Sequence, residues 1–351
     1  MTERLSDHTT LRLGGPARRW VRATTERELI EAVDSADRAG EPVLVLGGGS
    51  NLVVADDGFP GTVVEVATRG ISADSETVDG TRISVCGGAL VTVAAGEVWD
   101  DFVAEAVRRR WVGIEALSGI PGTVGATPIQ NVGAYGQEVA QTVARVRVWD
   151  RRLRGIRTFA AADCGFAYRT SRFKADRFDA GGGRHVVLDV TFQLAIGDSS
   201  APVTYAELAR TLGVEVGTRA PLADVREAVL RLRAGKGMVL DPDDHDTWSA
   251  GSFFTNPFVE PGRVPAGAPS YPQPDGAVKT SAAWLIEHAG FAKGHGNERV
   301  SLSTKHTLAL TNRGAATTAD LLALARDVRA GVREAYGIEL VNEPVLLGCS
   351  L

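Results

Sequence analysis

Residues 118–136 read SGIPGTVGATPIQNVGAYG, and no charged side chain stands between Glu115 and Glu138. Gly119, Gly122, Gly125, Gly133 and Gly136, with Pro121 and Pro128, exclude a long helix or strand here. A solvated linker of this length is normally more polar. An uncharged, glycine-rich turn region inside a globular domain implies backbone lying close against something, with N–H groups left to donate. Proteins hold the pyrophosphate of a nucleotide cofactor in that way. A second loop strengthens the reading. In VLVLGGGSNLVV (43–54) the apolar run Val43 to Leu46 suits a buried strand, Gly47, Gly48 and Gly49 turn the chain, Ser50 and Asn51 offer polar side chains, and a second apolar run follows. The dinucleotide fingerprint needs a helix after its glycines, and strand–loop–strand has none, so the Rossmann version is excluded. Taken alone, GGGSN reads as a tight turn; the two loops together favour a cofactor.

Three polar clusters carry the other candidate chemistry. They are Tyr168-Arg169-Thr170-Ser171-Arg172-Phe173-Lys174, the stretch SAGSFFTNP over 249–257, and Asn342-Glu343-Pro344 in an otherwise apolar terminus. Each has a plain alternative: Arg169 as a surface arginine, Ser252 as a cap or turn serine, Glu343 as an exposed strand residue. Ser252 has no GxSxG context, which argues against a hydrolase nucleophile.

The elements that position these residues follow from periodicity. Thr25-x-x-Glu28 is a capping box, and Leu29, Ile30, Val33 and Ala36 continue at helical spacing to a stop at Gly40. With strands at 43–46 and 62–66 this predicts a small βαββ lobe. A strand at 81–86 precedes a helix over 97–109 with Val98, Phe102, Val103 and Ala106 on one face. Strands near 143–149 and 185–194 follow the glycine loop, then helices at 206–212 and 222–234. GTRAP (217–221) reads as a domain exit, and 257–278, rich in Pro and Gly, as an irregular surface loop. Helix 281–289, strand 306–311 and helix 319–336, ended by Gly337, complete the chain.

Composition bounds the function. At 351 residues there is room for two or three domains. The net charge of −5 argues against a broad nucleic-acid surface. Three widely spaced cysteines (Cys86, Cys164, Cys349) fit a reduced compartment and no zinc site, and the six scattered histidines offer no ligand set, so no metal is expected. No signal-peptide core and no apolar run of membrane-spanning length is present, so a cytoplasmic protein without membrane contact is expected. No obligate protein partner is evident.

TTLRLGG, LGGGSNLVV, SGIPGTVGATPIQNVGAYGQE, FAYRTSRFK, VTYAEL, SAGSFFTNP and NEPVLLG lie in this order over residues 9–348. In that order they resemble the UDP-N-acetylenolpyruvoylglucosamine reductase family, of the type that keeps a tyrosine loop over its substrate. The resemblance implies an α+β fold: the two-subdomain FAD-binding fold of the vanillyl-alcohol-oxidase/PCMH type plus a C-terminal α+β substrate-binding domain. Its boundaries fall at 1–68, with the segment 341–351 as a candidate addition, 69–217 and 218–340. It implies non-covalent FAD held by Gly47, Gly48, Gly49, Ser50 and Asn51 and by Gly119, Ile120, Pro121, Gly122, Thr123, Gly125, Ala126, Gln130, Asn131, Gly133, Ala134 and Tyr135. Ser252 matches the family's proton donor, Arg169 and Glu343 the pair beside the enolpyruvyl group, and Tyr168, Tyr205, Lys236, Asn256 and Lys279 the substrate contacts. NADPH is the implied hydride donor and a UDP-sugar the implied substrate, with roles in peptidoglycan synthesis, cell shape and cell division. One departure stands out: many relatives carry Arg two residues after the glutamate, where this chain has Val345. Another FAD oxidoreductase of the same fold, acting on a hydroxy acid or sugar alcohol, would account for the loops but not for Ser252, Arg169 and Glu343. A nucleotide-binding protein without turnover would account for the loops alone.

Overall fold

A computed structural model describes residues 3–74, 76–78, 81–83, 88–178 and 182–351. Cys86 and the end of the strand expected at 81–86 lie outside the described residues. The chain divides into two compact units, one of Arg18–Gly48 and Pro60–Ala234, the other of Met1–Ala17, Gly49–Phe59 and Gly235–Leu351.

In the first unit the expected capping box is present: Thr25 Oγ1 accepts from Glu28 N–H at 3.2 Å and Glu28 Oε2 accepts from Thr25 N–H at 3.2 Å. Such caps are worth about 1 kcal/mol. The helix Glu26–Arg38 buries Leu29, Val33 and Ala36 against a three-stranded sheet ordered Ala17–Ala23, Phe59–Val66, Val43–Leu46, in which Val43–Leu46 runs parallel to Thr62–Glu65. A larger sheet is antiparallel and ordered Gly155–Ala160, Val143–Asp150, His185–Ile196, Gly88–Ala94, Ile71–Asp74. The helix over this region is Trp99–Arg108, two residues later at its start than expected. Its buried face therefore runs through Trp99, Phe102, Val103 and Ala106, while Val98 is the cap residue and 39% exposed. Trp99, Phe102 and Phe192 form the aromatic centre of the core, with ring centroids 5.1–6.0 Å apart. Helices Ala206–Leu212 and Leu222–Gly235 close a smaller apolar cluster around Val203, Leu208, Val225 and Val229. The GTRAP segment hydrogen-bonds back onto 200–203, through Ser200 N–H to Ala220 O at 2.7 Å and Val203 N–H to Thr218 O at 2.8 Å.

The second unit is built on the helix Thr318–Tyr336, which buries Leu321, Leu322, Ala325, Val328 and Val332 and ends at Gly337 in the left-handed region (φ +64°). The expected strand at 306–311 is shorter, Leu310–Asn312, and pairs with Val300–Leu302, which periodicity did not reveal. The stretch 257–278 is not wholly irregular. Phe258–Val259 and Ser270–Pro272 flank Val278–Thr280 in a three-stranded antiparallel sheet. Strands of two or three residues are too short for alternation to register in a sequence. The C-terminal Val345–Leu347 runs parallel to Leu52–Val54.

Candidate active site

In the first unit the two glycine loops meet backbone to backbone. A Cβ on Gly48 would lie 2.6 Å from Gly122 Cα, and one on Gly47 would lie 2.6 Å from Thr123 Oγ1. The object that the glycines of 118–136 must approach is thus first of all the other loop. Trp99 N–H donates to Gly122 O at 3.0 Å, while Val124 and Gly125 donate to Glu97 O at 2.9 Å and Ala95 O at 2.8 Å. Gly119 N–H donates to Asp100 Oδ1 at 2.6 Å. Ile120, Pro121 and Ala126 lie within this anchored stretch. Among the described residues, no protein acceptor stands against the N–H groups of Gly47, Gly48, Gly122 or Thr123. Donors of this kind on two touching loops suit a diphosphate, so these residues fit FAD. Gly48→Ala is expected to force the loops apart at a cost of about 1–3 kcal/mol. The variant should fold yet release flavin on gel filtration, checked by the flavin-to-protein absorbance ratio.

The far end of the long loop is shaped by turns. The helical turn Thr127–Gln130, with Pro128 at its start, stops at Asn131, which is left-handed (φ +44°). Gly133–Ala134 then pairs with Gln137–Glu138 across Tyr135 and Gly136, whose φ of +49° and +85° make the primed turn that suits a two-residue hairpin. Asn131 is spent on the protein itself. Its Nδ2 donates to Glu138 Oε2 at 2.9 Å and Ala167 O at 3.0 Å, and its Oδ1 accepts from Ala140 N–H at 3.2 Å. Its side chain shapes the loop.

The YRTSRFK cluster is laced to this loop. Ser171 Oγ donates to Ile129 O at 2.8 Å, and Lys174 Nζ donates to Gln130 Oε1 at 2.9 Å and Arg169 O at 3.0 Å. Arg169 is itself left-handed (φ +54°), donates through Nη2 to Gly133 O at 2.9 Å, and carries its guanidinium 5.6 Å from the Tyr168 ring centroid. Tyr205 caps the helix Ala206–Leu212 and meets Tyr135 edge to face at 5.5 Å. Gly136 admits no side chain because a Cβ there would collide with Thr204 Oγ1.

Charged residues beyond the expected set surround this half. Asp100 holds Gly119 and also takes both Arg226 amino groups, at 2.6 and 2.8 Å. Burial pushes its carboxyl up, but the Arg226 and Gly119 hydrogen bonds outweigh that and hold it below the ordinary carboxylate value. Arg233 on the same helix as Arg226 is buried, and that burial pushes its guanidinium down, with Tyr135 and Asp100 opposing and Arg169 adding to the fall. No motif marked Asp100, Arg226 or Arg233. The one sequence signal was Arg233's place three residues before Lys236.

In the second unit, strand pairing sets Phe253, the residue after Ser252, against Glu343. Phe254 bridges Asn342 in antiparallel register, and Glu343 N–H donates to Phe253 O at 2.9 Å. Ser252 is thus the residue next to Glu343's partner. Asn51 brackets the same strand, receiving Val345 N–H on its carbonyl at 2.9 Å and reaching Glu343 O with Nδ2 at 3.5 Å. Its side chain therefore supports Glu343. Gly49 is left-handed (φ +60°), and a Cβ there would strike His8 O; Ser50 follows in the same turn. Thr10 Oγ1 donates to Ser249 O at 2.6 Å, so TTLRLGG steadies the turn that leads to Ser252. Asn256 Oδ1 accepts from Ala282 N–H at 3.0 Å at the start of the helix Ala282–His288. Lys279 pairs with Phe258 on one side and Tyr271 on the other, and Lys236 follows directly on the helix Leu222–Gly235. Among the described residues, no group of three or more His, Cys, Asp or Glu could hold a metal ion, and no helix is long and apolar enough to cross a membrane.

Residues 17–152 match the FAD binding domain family, and residues 241–347 match the C-terminal domain of UDP-N-acetylenolpyruvoylglucosamine reductase. The reductase of Cutibacterium acnes is 61% identical, over 99% of this chain and 90% of its own. That of Thermobifida fusca is 57% identical, over 99% and 97%. The reductase structure from Thermus caldophilus aligns with a TM-score of 0.61 at 26% identity, over 99% of both chains. The fold is accordingly the α+β FAD-binding fold with an appended C-terminal domain. Identity above half over nearly the full length of both chains reaches every element described here, and the chain belongs to the UDP-N-acetylenolpyruvoylglucosamine reductase family.

Proposed function

We propose that the protein uses FAD and NADPH to reduce the enolpyruvyl group of UDP-N-acetylenolpyruvoylglucosamine, giving UDP-N-acetylmuramate for peptidoglycan. The observation that supports this reading is the strand pairing of 253–255 with 341–343, which ties the segment next to Ser252 to the segment of Glu343 in a chain of this family. The reaction belongs in the cytoplasm, where NADPH and UDP-sugars are made, and serves cell shape and division. The functional division is 1–68 with 341–351, then 69–217, for the cofactor, and 218–340 for the substrate.

FAD, when bound, supplies a carrier that takes hydride from NADPH and passes it to the methylene carbon of the substrate. The touching loops at 47–48 and 119–126 hold its diphosphate. Hydride addition pushes negative charge onto the substrate carboxylate. Arg169 receives that charge, because a guanidinium stays protonated and grips a carboxylate at two points. Ser252 donates its hydroxyl proton to the carbon that bears the carboxylate; a serine is too weak an acid for anything but so basic a carbanion. Glu343 polarises the substrate or relays a proton through water. Tyr168, Tyr205, Lys236, Asn256 and Lys279 hold the UDP-sugar, so that remote binding energy goes into orientation.

The test is an anaerobic titration. NADPH should bleach the flavin absorbance, and the enolpyruvyl UDP-sugar should restore it at one equivalent. Recovery with a hydroxy acid's oxidised partner and not with the UDP-sugar would assign the fold a different substrate. Protein that purifies without flavin and binds none would remove the enzyme reading altogether.

A further inference from the structure

Glu115 lies at the foot of the long glycine loop and is fully buried. Among the described residues it forms no ion pair with Lys or Arg. Its carboxylate is met instead by N–H donors from three separate segments. Oε2 accepts from Gly113 N–H at 2.6 Å, and Oε1 accepts from Ala201 N–H at 2.8 Å and Gln137 Nε2 at 2.9 Å. Gln137, also buried, returns its Oε1 to Ala116 N–H at 2.8 Å. Two of these segments lead within a few residues to a tyrosine. Gln137 closes the hairpin whose turn is Tyr135-Gly136, and Ala201 opens the arm that ends in Val203-Thr204-Tyr205. The arm and the hairpin then touch again, through the edge-to-face rings of Tyr135 and Tyr205 at 5.5 Å and the contact of Gly136 with Thr204.

We infer that Glu115 and Gln137 are positioning residues for Tyr205: they fix the arm to the hairpin and thereby set where its phenol stands for the UDP-sugar. The inference rests on the proposed role of Tyr205 as a substrate contact. Tyr205 is 43% exposed, so its own packing does not hold it. What restrains it is the arm, which Ser200 and Val203 tie to Ala220 and Thr218 and which the Ala201–Glu115 bond ties to the hairpin side through Gln137. A carboxylate suits this junction because both of its oxygens only accept. An amide in its place turns one oxygen into a donor, which must then face a backbone N–H or the Gln137 amide.

Glu115→Gln is the test, made on the flavin-loaded protein beside Tyr205→Phe and the double variant. Titration calorimetry of the oxidised protein with the enolpyruvyl UDP-sugar should show Kd raised roughly tenfold in each single variant. The double variant should be no weaker than the worse single one, since a phenol already removed cannot be misplaced. In Glu115→Gln, flavin content and the rate of flavin reduction by NADPH should stay within about twofold of wild type, which general loosening of the fold would not allow. If Glu115→Gln fails to fold, Gln137→Met keeps side-chain length, cuts the same link and carries the same expectations. Should Tyr205→Phe bind as wild type, the reading of Tyr205 fails and the inference falls with it. Should Tyr205→Phe weaken binding while Glu115→Gln does not, or the two losses multiply, the inference alone is overturned.

Discussion

Ser252→Ala is expected to leave flavin reduction by NADPH at the wild-type rate and to slow reoxidation by the UDP-sugar on the order of 10²–10⁴-fold, the range of a lost general acid. A proton donor to the substrate matters only in the second half-reaction. The backbone frame around Ser252 does not pass through its side chain: Phe253 N–H donates to Leu308 O at 2.7 Å and Phe253 O accepts from Glu343 N–H at 2.9 Å. Removing one hydroxyl therefore leaves that frame and the melting temperature intact. Stopped-flow absorbance of the two half-reactions measures both rates. Equal damage to both would mean that Ser252 shapes the cofactor site and donates no proton.

Arg169→Lys is expected to lower the limiting rate of reoxidation roughly 10- to 100-fold, by more than it weakens substrate binding. That is the scale of one charge-assisted hydrogen bond lost in the transition state. Arg169 occupies the left-handed region with φ +54°, but lysine bears the same backbone cost, so the comparison isolates the side chain. The guanidinium already donates through Nη2 to Gly133 O at 2.9 Å. A planar fork can hold that carbonyl and a carboxylate together; an ammonium must choose. Charge on the carboxylate grows toward the transition state, so the loss falls on rate more than on affinity. A wild-type limiting rate with only a raised half-saturation point would make Arg169 a binding residue.

Local chemistry was legible in the sequence where it depended on near neighbours. The capping box at Thr25 and Glu28, the stop at Gly337 and the strand–loop–strand around GGGSN are all present. Each is decided within a few residues by backbone sterics and local hydrogen bonds, which residue types reveal directly. Helix Trp99–Arg108 shows the limit of that signal. Val98 and Trp99 are both apolar, and only the packing of the indole, which donates to Leu117 O at 3.0 Å, decides which one enters the core.

What the tertiary structure alone decided is which loops touch and what each polar side chain is spent on. Asn51 and Asn131 read alike as cofactor contacts, yet one brackets the Glu343 strand and the other ties its own loop to Glu138 and Ala167. Asp100, Glu115 and Arg233 carried no motif, because their meaning lies mostly in partners far along the chain, as in Gly119 and Arg226 against Asp100, 19 and 126 residues away. The sequence by itself determined the family, the glycines, the candidate acid and the candidate cation, since those depend on residue type in order along the chain. The pairing that sets Phe253 against Glu343, and the meeting of Gly48 with Gly122, arise only when strands and loops far apart in sequence close on one another. A side chain can satisfy only a limited number of hydrogen-bond partners, and the fold chooses which ones are within reach.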